Sequence, residues 1–85
     1  MAYRVLLRRS ALRELEGLQN PMRRRVARAI RALADDPRPP GAKLLSGAYR
    51  RWRIRVGDHR ILYLVDDDSV VVVIVLIRHR SDAYR

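Results

Sequence analysis

Residues 70–77 read Val-Val-Val-Val-Ile-Val-Leu-Ile, and few structures can accommodate such a run. Seven of the eight side chains are β-branched, which favours an extended strand and disfavours a helix. No polar residue interrupts the run, so neither face of the strand is built for water. This is the pattern of a central strand covered on both sides. Eight residues are also far fewer than the roughly 18 needed to cross a bilayer as a helix. The chain must be organised around a sheet with this strand inside it.

Periodicity assigns the other elements. Tyr3 to Arg8 alternates, with Tyr3, Val5 and Leu7 on one face, and is predicted to be a short strand. Ser10 is placed as an N-cap, followed by Leu12, Leu15 and Leu18 at helical spacing, with Gly17 weakening the helix end. A second helix is predicted to start with Asn20 as N-cap and Pro21 at the first helical position. It buries Met22, Val26, Ala29, Ile30 and Leu33 along one stripe, while Arg23, Arg24, Arg25, Arg28 and Arg31 occupy the other side. Asp36-Pro37 stops it, because a residue before Pro avoids the α region. Residues 37–47 form one long connection. Two strands follow, Tyr49 to Val56 and His59 to Val65, joined at Gly57-Asp58, and the turn Asp66 to Ser69 leads into the apolar run. The expected fold is α+β, in the order β-α-α-β-β-β. A curved, mostly antiparallel four-stranded sheet carries a helical hairpin on one face, as one domain over residues 1–85.

Charge bears on function. Of 19 basic residues 18 are Arg, Lys43 being the exception, and the net charge is +10. A guanidinium grips phosphate with two parallel hydrogen bonds and stacks on bases, so an Arg-dominated excess points to a polyanionic partner, most simply nucleic acid. The segment from Lys43 to Arg60 holds six basic residues and one acid, Asp58. The Arg-rich outer side of the second helix is open to two readings, a solvated face or an RNA contact. Cys is absent, so no disulfide or thiolate metal site is expected. The N-terminus lacks the order of a signal peptide, and a cytoplasmic location without membrane contact is the expectation.

A two-residue turn at Gly57-Asp58 sets Val56 opposite His59, Arg55 opposite Arg60 and Arg53 opposite Leu62. Alternation then places Arg53, Arg55 and Arg60 on one face and Trp52, Ile54, Ile61 and Tyr63 on the core side. Two Arg directly across an antiparallel pair repel, and an anion between them turns repulsion into binding. The common enzyme signatures are missing: no Gly-rich phosphate loop, no HExxH and no Cys/His cluster occurs. No metal site and no cofactor are expected. Ser10, Ser46, Ser69 and Ser81 sit at caps or turns, and Asp66, Asp67 and Asp68 form a solvated turn rather than a catalytic carboxylate pair. Catalysis, if present, falls to Arg, His and Tyr. That suits cleavage of RNA by its own 2′-hydroxyl, in which the protein aligns the backbone and stabilises charge on phosphorus.

These residues resemble the RelE/ParE superfamily of toxins from type II toxin–antitoxin systems. The resemblance spans nearly the whole chain. It is most specific over Lys43-Leu44, Gly47 and Trp52 to Tyr63, and at the ending Arg78-His79-Arg80-Ser81-Asp82-Ala83-Tyr84-Arg85. It implies a cytoplasmic endoribonuclease that cuts mRNA in the ribosomal A site without a metal and is held in check by a small acidic antitoxin with an amphipathic helix. It also implies catalytic roles for Arg53, Arg55, Arg60, Arg78 and Tyr84, with Lys43, Arg51, His79 and Arg80 as RNA-binding neighbours. Positions 53 and 55 are Arg where the best-known member carries Lys, and a neutral guanidine is hardly accessible as a base. The proton route through His79, Tyr84 or water stays open. Two other functions are compatible with the same fold: a ParE-like inhibitor of DNA gyrase, and a basic RNA-binding module without chemistry.

Overall fold

The computed structural model of the chain describes residues 2–45 and 50–81. The elements run β1 (Arg4–Leu7), α1 (Arg9–Glu16), α2 (Met22–Ala32), β2 (Lys43–Leu44), β3 (Trp52–Val56), β4 (His59–Asp66) and β5 (Val71–His79). The strands form one sheet in the order β1-β5-β4-β3-β2. Strands β2 to β5 pair antiparallel, and β1 joins β5 in parallel. The apolar run is therefore internal, as its sequence requires, and the α+β architecture is as expected.

The sheet has five strands instead of four. The extra strand, β2, lies in the connection predicted to be irregular, and pairs Lys43 with Arg53 and Leu44 with Trp52. Two residues flanked by Pro39, Pro40 and Gly41 carry no periodic signal, and only the partner strand makes them extended. Strand β3 begins at Trp52 and not at Tyr49, which lies outside the described residues. Arg50 has φ 46, a left-handed conformation that cannot continue a strand. Val70 likewise has φ 57, unusual for a β-branched residue, so β5 starts one residue later than the apolar run and continues through Arg78 and His79.

Neither helix starts at its predicted cap. Helix α1 follows Arg8, placing Ser10 in its first turn, and α2 follows Pro21. Neither has a side-chain hydrogen bond at its N-terminus. The buried face of α1 is also turned from the expected one. Ala11 is fully buried, Leu15 and Leu18 pack beside it, and Leu12 is 45% exposed. An alanine at the contact lets the helix approach the sheet, which a leucine would prevent. The stripe on α2 is as expected: Val26, Ile30 and Leu33 are buried, with Met22 and Ala29 packed against the same core. From the sheet come Ile54, Ile61, Tyr63, Val72, Ile74 and Ile77. Ile74 and Ile77 stand an odd number of positions apart, and regular alternation would send them to opposite faces. A β-bulge resolves this: Leu62 pairs with Leu76 and Tyr63 with Ile74, leaving Val75 as the extra residue.

Polar contacts close the open parts of the sheet. Strand β1 ends at Leu7, opposite Ile74, and beyond it the edge of β5 is covered by α1. The Ile77 N–H donates to Glu14 Oε1 at 3.0 Å, and the other carboxylate oxygen of Glu14 forms an ion pair with Arg78. At the far end Arg38 donates both arms of its guanidinium to Asp67 at 3.1 and 2.8 Å, and the Tyr3 hydroxyl donates to the same carboxylate at 2.7 Å. Arg38 also lies over the Trp52 ring, 5.3 Å from its centroid. The turn expected to be merely solvated is thus tied to the N-terminus and to the 33–42 connection. Among the described residues no helix is long and apolar enough to cross a membrane.

Two stability predictions follow from these contacts. The fully buried Tyr63 donates its hydroxyl to the Pro37 carbonyl at 2.8 Å, and burial pushes its pKa to about 12. Tyr63→Phe leaves that carbonyl unpaired and should lower unfolding free energy by about 1–2 kcal/mol in denaturant titration. The hydrogen bonds from Arg38 and Tyr3 hold the Asp67 carboxyl below its ordinary value of 3.8. A lowered folded-state value means stability that is present above pH 3.8 and is lost as pH falls through the folded-state value. Asp67→Asn should remove that part of the acid-side decline in melting temperature.

Candidate nucleic-acid interface

The hairpin of β3 and β4 has the register expected from its two-residue turn: Arg53 faces Leu62, Arg55 faces Arg60 and Val56 faces His59. Gly57, the first turn residue, has φ 58, the conformation a type II′ hairpin needs there. A β-carbon at this position would stand 2.8 Å from Met22 Cε, the end of a flexible side chain that can move aside, so the positive φ is what selects glycine. The pairing extends into β5, where Arg60 faces Arg78 and His59 faces His79. Arg55, Arg60 and Arg78 therefore occupy one row across three adjacent strands.

A cleft of about 140 Å³ opens at the end of this row, lined by Arg55, Gly57, Asp58, His59, Arg60 and Arg80. The Arg80 N–H donates to the Asp58 carbonyl at 2.7 Å, which draws the chain after β5 against the hairpin. Behind Arg60, the two imidazoles of His59 and His79 meet edge to face, with centroids 5.4 Å apart and planes at 87°. His79 Nδ1 lies 2.9 Å from Ser81 Oγ, while His59 Nδ1 is buried without a hydrogen-bond partner among the described residues. Burial, and then the nearby His79, lower the pKa of His59 below its ordinary 6.5, against a smaller opposing pull from Asp58. His59 is therefore neutral at neutral pH and has a base available at the cleft.

The expected site residues do not all converge. Arg55, Arg60 and Arg80 share the cleft, and His79 supports it through His59. Arg53 is 8% exposed and faces a neighbouring hollow of about 240 Å³ with Lys43, Pro40 and Gly41, to which Arg55 also contributes. The strand β2 brings Lys43 there. Arg78 lies on the row with its charge partly met by Glu14. Arg51 precedes β3 and lines neither cavity. Tyr84, together with Ser46 and Gly47, falls outside the described residues. Sequence reasoning missed three participants. Glu14 had no signal beyond being an acid on a helix of a basic chain. His59 was placed in the turn register without being assigned a role. Arg25 belonged to a helix face, yet its Nη1 stands 3.4 Å from the β-carbon position of Gly57, at the rim of the cleft. No group of three or more His, Asp or Glu side chains gathers into a metal-type cluster among the described residues.

This arrangement can hold a phosphate diester: guanidinium groups converge from two strands and the following turn, with a neutral imidazole beside them. Comparison with known proteins identifies the family. The family described as ParE toxin of type II toxin-antitoxin system, parDE, matches residues 5–84. Toxin RelG of Mycobacterium tuberculosis is 33% identical over 86 residues, covering 100% of this chain and 99% of that protein. A RelE-like toxin protein of Escherichia coli is 31% identical over 88 residues, covering 99% of this chain and 92% of that one. Among solved structures, the toxin-antitoxin complex RelBE2 of Mycobacterium tuberculosis contains a chain with TM-score 0.83 and 28% identity, covering 96% of this chain and 95% of that one. Sequence, fold and relatives agree, and the chain belongs to the ParE toxin family of type II toxin–antitoxin systems, within the RelE/ParE superfamily.

Proposed function

We propose that this toxin is a ribosome-dependent endoribonuclease that cuts mRNA in the A site by attack of a 2′-hydroxyl on its own phosphate. The observation that supports the reading best is the row Arg55–Arg60–Arg78 opening on a cleft beside a neutral imidazole. The 2′-oxygen bonds to phosphorus, the bond to the 5′-oxygen breaks, and the products are a 2′,3′-cyclic phosphate and a free 5′-hydroxyl. Arg60 and Arg55 stabilise the extra negative charge on the phosphoryl oxygens, where preorganised donors act most strongly. Arg78, oriented by Glu14, adds charge from the next strand. Arg53 and Lys43 hold the neighbouring phosphate in the adjoining hollow, with Arg51 and Arg80 along the same backbone. His59 accepts the 2′-hydroxyl proton, a task for which a guanidinium is unfit, and solvent water gives the departing 5′-oxygen the proton that makes it a hydroxyl. Tyr84 stacks on a base beside the cut.

A cognate antitoxin is part of this reading, as the structural relative was solved as a toxin–antitoxin complex. An acidic amphipathic helix complements the guanidinium groups, and a chain that wraps the toxin can meet the exposed Leu6 and Leu12 at one side and Leu44 at the opposite sheet edge. A second reading draws on the matched family being that of ParE. In that case the target is DNA gyrase and the basic surface meets a protein–DNA complex.

Primer extension on translating ribosomes should show A-site cuts with the wild-type toxin, and Arg60→Ala should reduce the rate about 10²–10³-fold. Intact mRNA together with loss of gyrase supercoiling would establish the second reading. Cleavage should also fall on the acid side of the ordinary imidazole value of 6.5, as pH passes through the lowered value at which His59 takes up a proton. In His59→Gln the rate should be lower and this acid limb should disappear; an unchanged limb would remove His59 from the mechanism.

A further inference from the structure

Helix α2 carries five arginines in eleven residues and no acid. At 100° per residue, Arg24, Arg28 and Arg31 stand on the side directly opposite the buried Val26 and Ile30, and all three are exposed. Their spacing, i, i+4 and i+7, is that of neighbours on a helix surface, where like charges repel. A face serving only solvation would alternate acids with bases along these positions. Instead none of the five guanidinium groups forms a hydrogen bond or ion pair with another described residue. The stripe extends about 10 Å along the axis, with the small Ala27 and Ala32 on its two sides.

The stripe is joined to the cleft. Arg25 flanks it on the side facing the hairpin, and its Nη1 and Nη2 stand 3.4 and 3.8 Å from the β-carbon position of Gly57. Gly57 lines the cleft with Arg55, Arg60 and Arg80. A basic track, with Asp58 at the turn as its one acid, thus runs from the row on the sheet, over the hairpin turn, onto the outer face of α2. The two halves have different shapes. The cleft is a concavity of about 140 Å³, whereas α2 offers a convex ridge of charge that suits phosphates presented across the groove of a double helix.

We propose that the outer face of α2 is a second docking surface, which takes the phosphate backbone of double-helical RNA adjoining the single strand held at the cleft. The choice of RNA rests on the cleavage reading above and on the continuity of the track. The contact is to phosphates, so it should be strongly salt-dependent and indifferent to sequence.

Binding can be compared for an RNA hairpin with a single-stranded tail and for the tail alone, using wild-type toxin and the Arg24→Gln, Arg28→Gln, Arg31→Gln triple variant. Glutamine keeps helix propensity at exposed positions, and circular dichroism checks the fold. Wild-type toxin should bind the tailed hairpin at least about tenfold more tightly than the tail. Its log–log salt slope should be steeper by about 2–3, the signature of three phosphate contacts. The triple variant should lose both differences and retain tail binding, while Arg60→Ala should lose cleavage and retain them. Equal binding of hairpin and tail by the wild type, or an undiminished difference in the triple variant, overturns the proposal. Tighter binding of a DNA duplex of equal length would make DNA the occupant. Displacement by polyglutamate as effective as by RNA would make it an acidic protein, and either result also overturns the proposal. A wild-type toxin that leaves mRNA uncut on ribosomes but shows the full, triple-sensitive difference refutes the cleavage reading alone.

Discussion

The register of the β3–β4 hairpin is the constraint on which the site depends. A slip of one residue would exchange the two faces of a strand, sending Arg53 and Arg55 into the core and Ile54 toward solvent. The two-residue turn at Gly57-Asp58 prevents this locally, because its geometry fixes which residues meet across the strands. Packing prevents it globally: Ile54, Ile61 and Tyr63 are all buried on the opposite face, and each would have to be exposed by a slip. The repulsion among Arg55, Arg60 and Arg78 is tolerated because the core on the other side of the same strands holds them in register.

The pattern of helices, strands and core was largely legible because it rests on local alternation. The apolar run announced an internal strand, the α2 stripe gave Val26, Ile30 and Leu33, and the turn gave every cross-strand partner in the hairpin. The larger failures share a physical origin: they concern contacts made at long range in sequence. Strand β2 is extended only because β3 is beside it. The rotation of α1 that hides Ala11 and exposes Leu12 is set by how close the helix lies to β5. The bulge at Val75 reconciles two halves of β5 that pack against different elements. Positive φ at Arg50 and Val70 ends strands that propensity alone would extend.

The site was legible in its chemistry more than in its membership. The guanidinium pair at Arg55 and Arg60 could be placed from the turn. The separation of Arg53 into a hollow with Lys43 could not, because it depends on β2. Glu14 illustrates a further limit. One carboxylate covers the open edge of β5 and orients Arg78, two functions that exist only once α1 lies along that edge. His59 shows the reverse case, a residue fixed in position by the turn whose character is set by burial and by the facing His79.

The parallel pairing of β1 with β5 bears on when the toxin becomes dangerous to the cell that makes it. Among the described residues strand β1 pairs with β5 alone, although the two are separated by both helices and three strands. Native pairing of such distant segments waits on closure of a very large loop. During synthesis β1 emerges before β5, so a chain whose β5 is still inside the ribosome has neither a finished sheet nor a complete row of guanidinium groups. Chain order thus acts as a timer, delaying assembly of the basic track until β5 has left the ribosome.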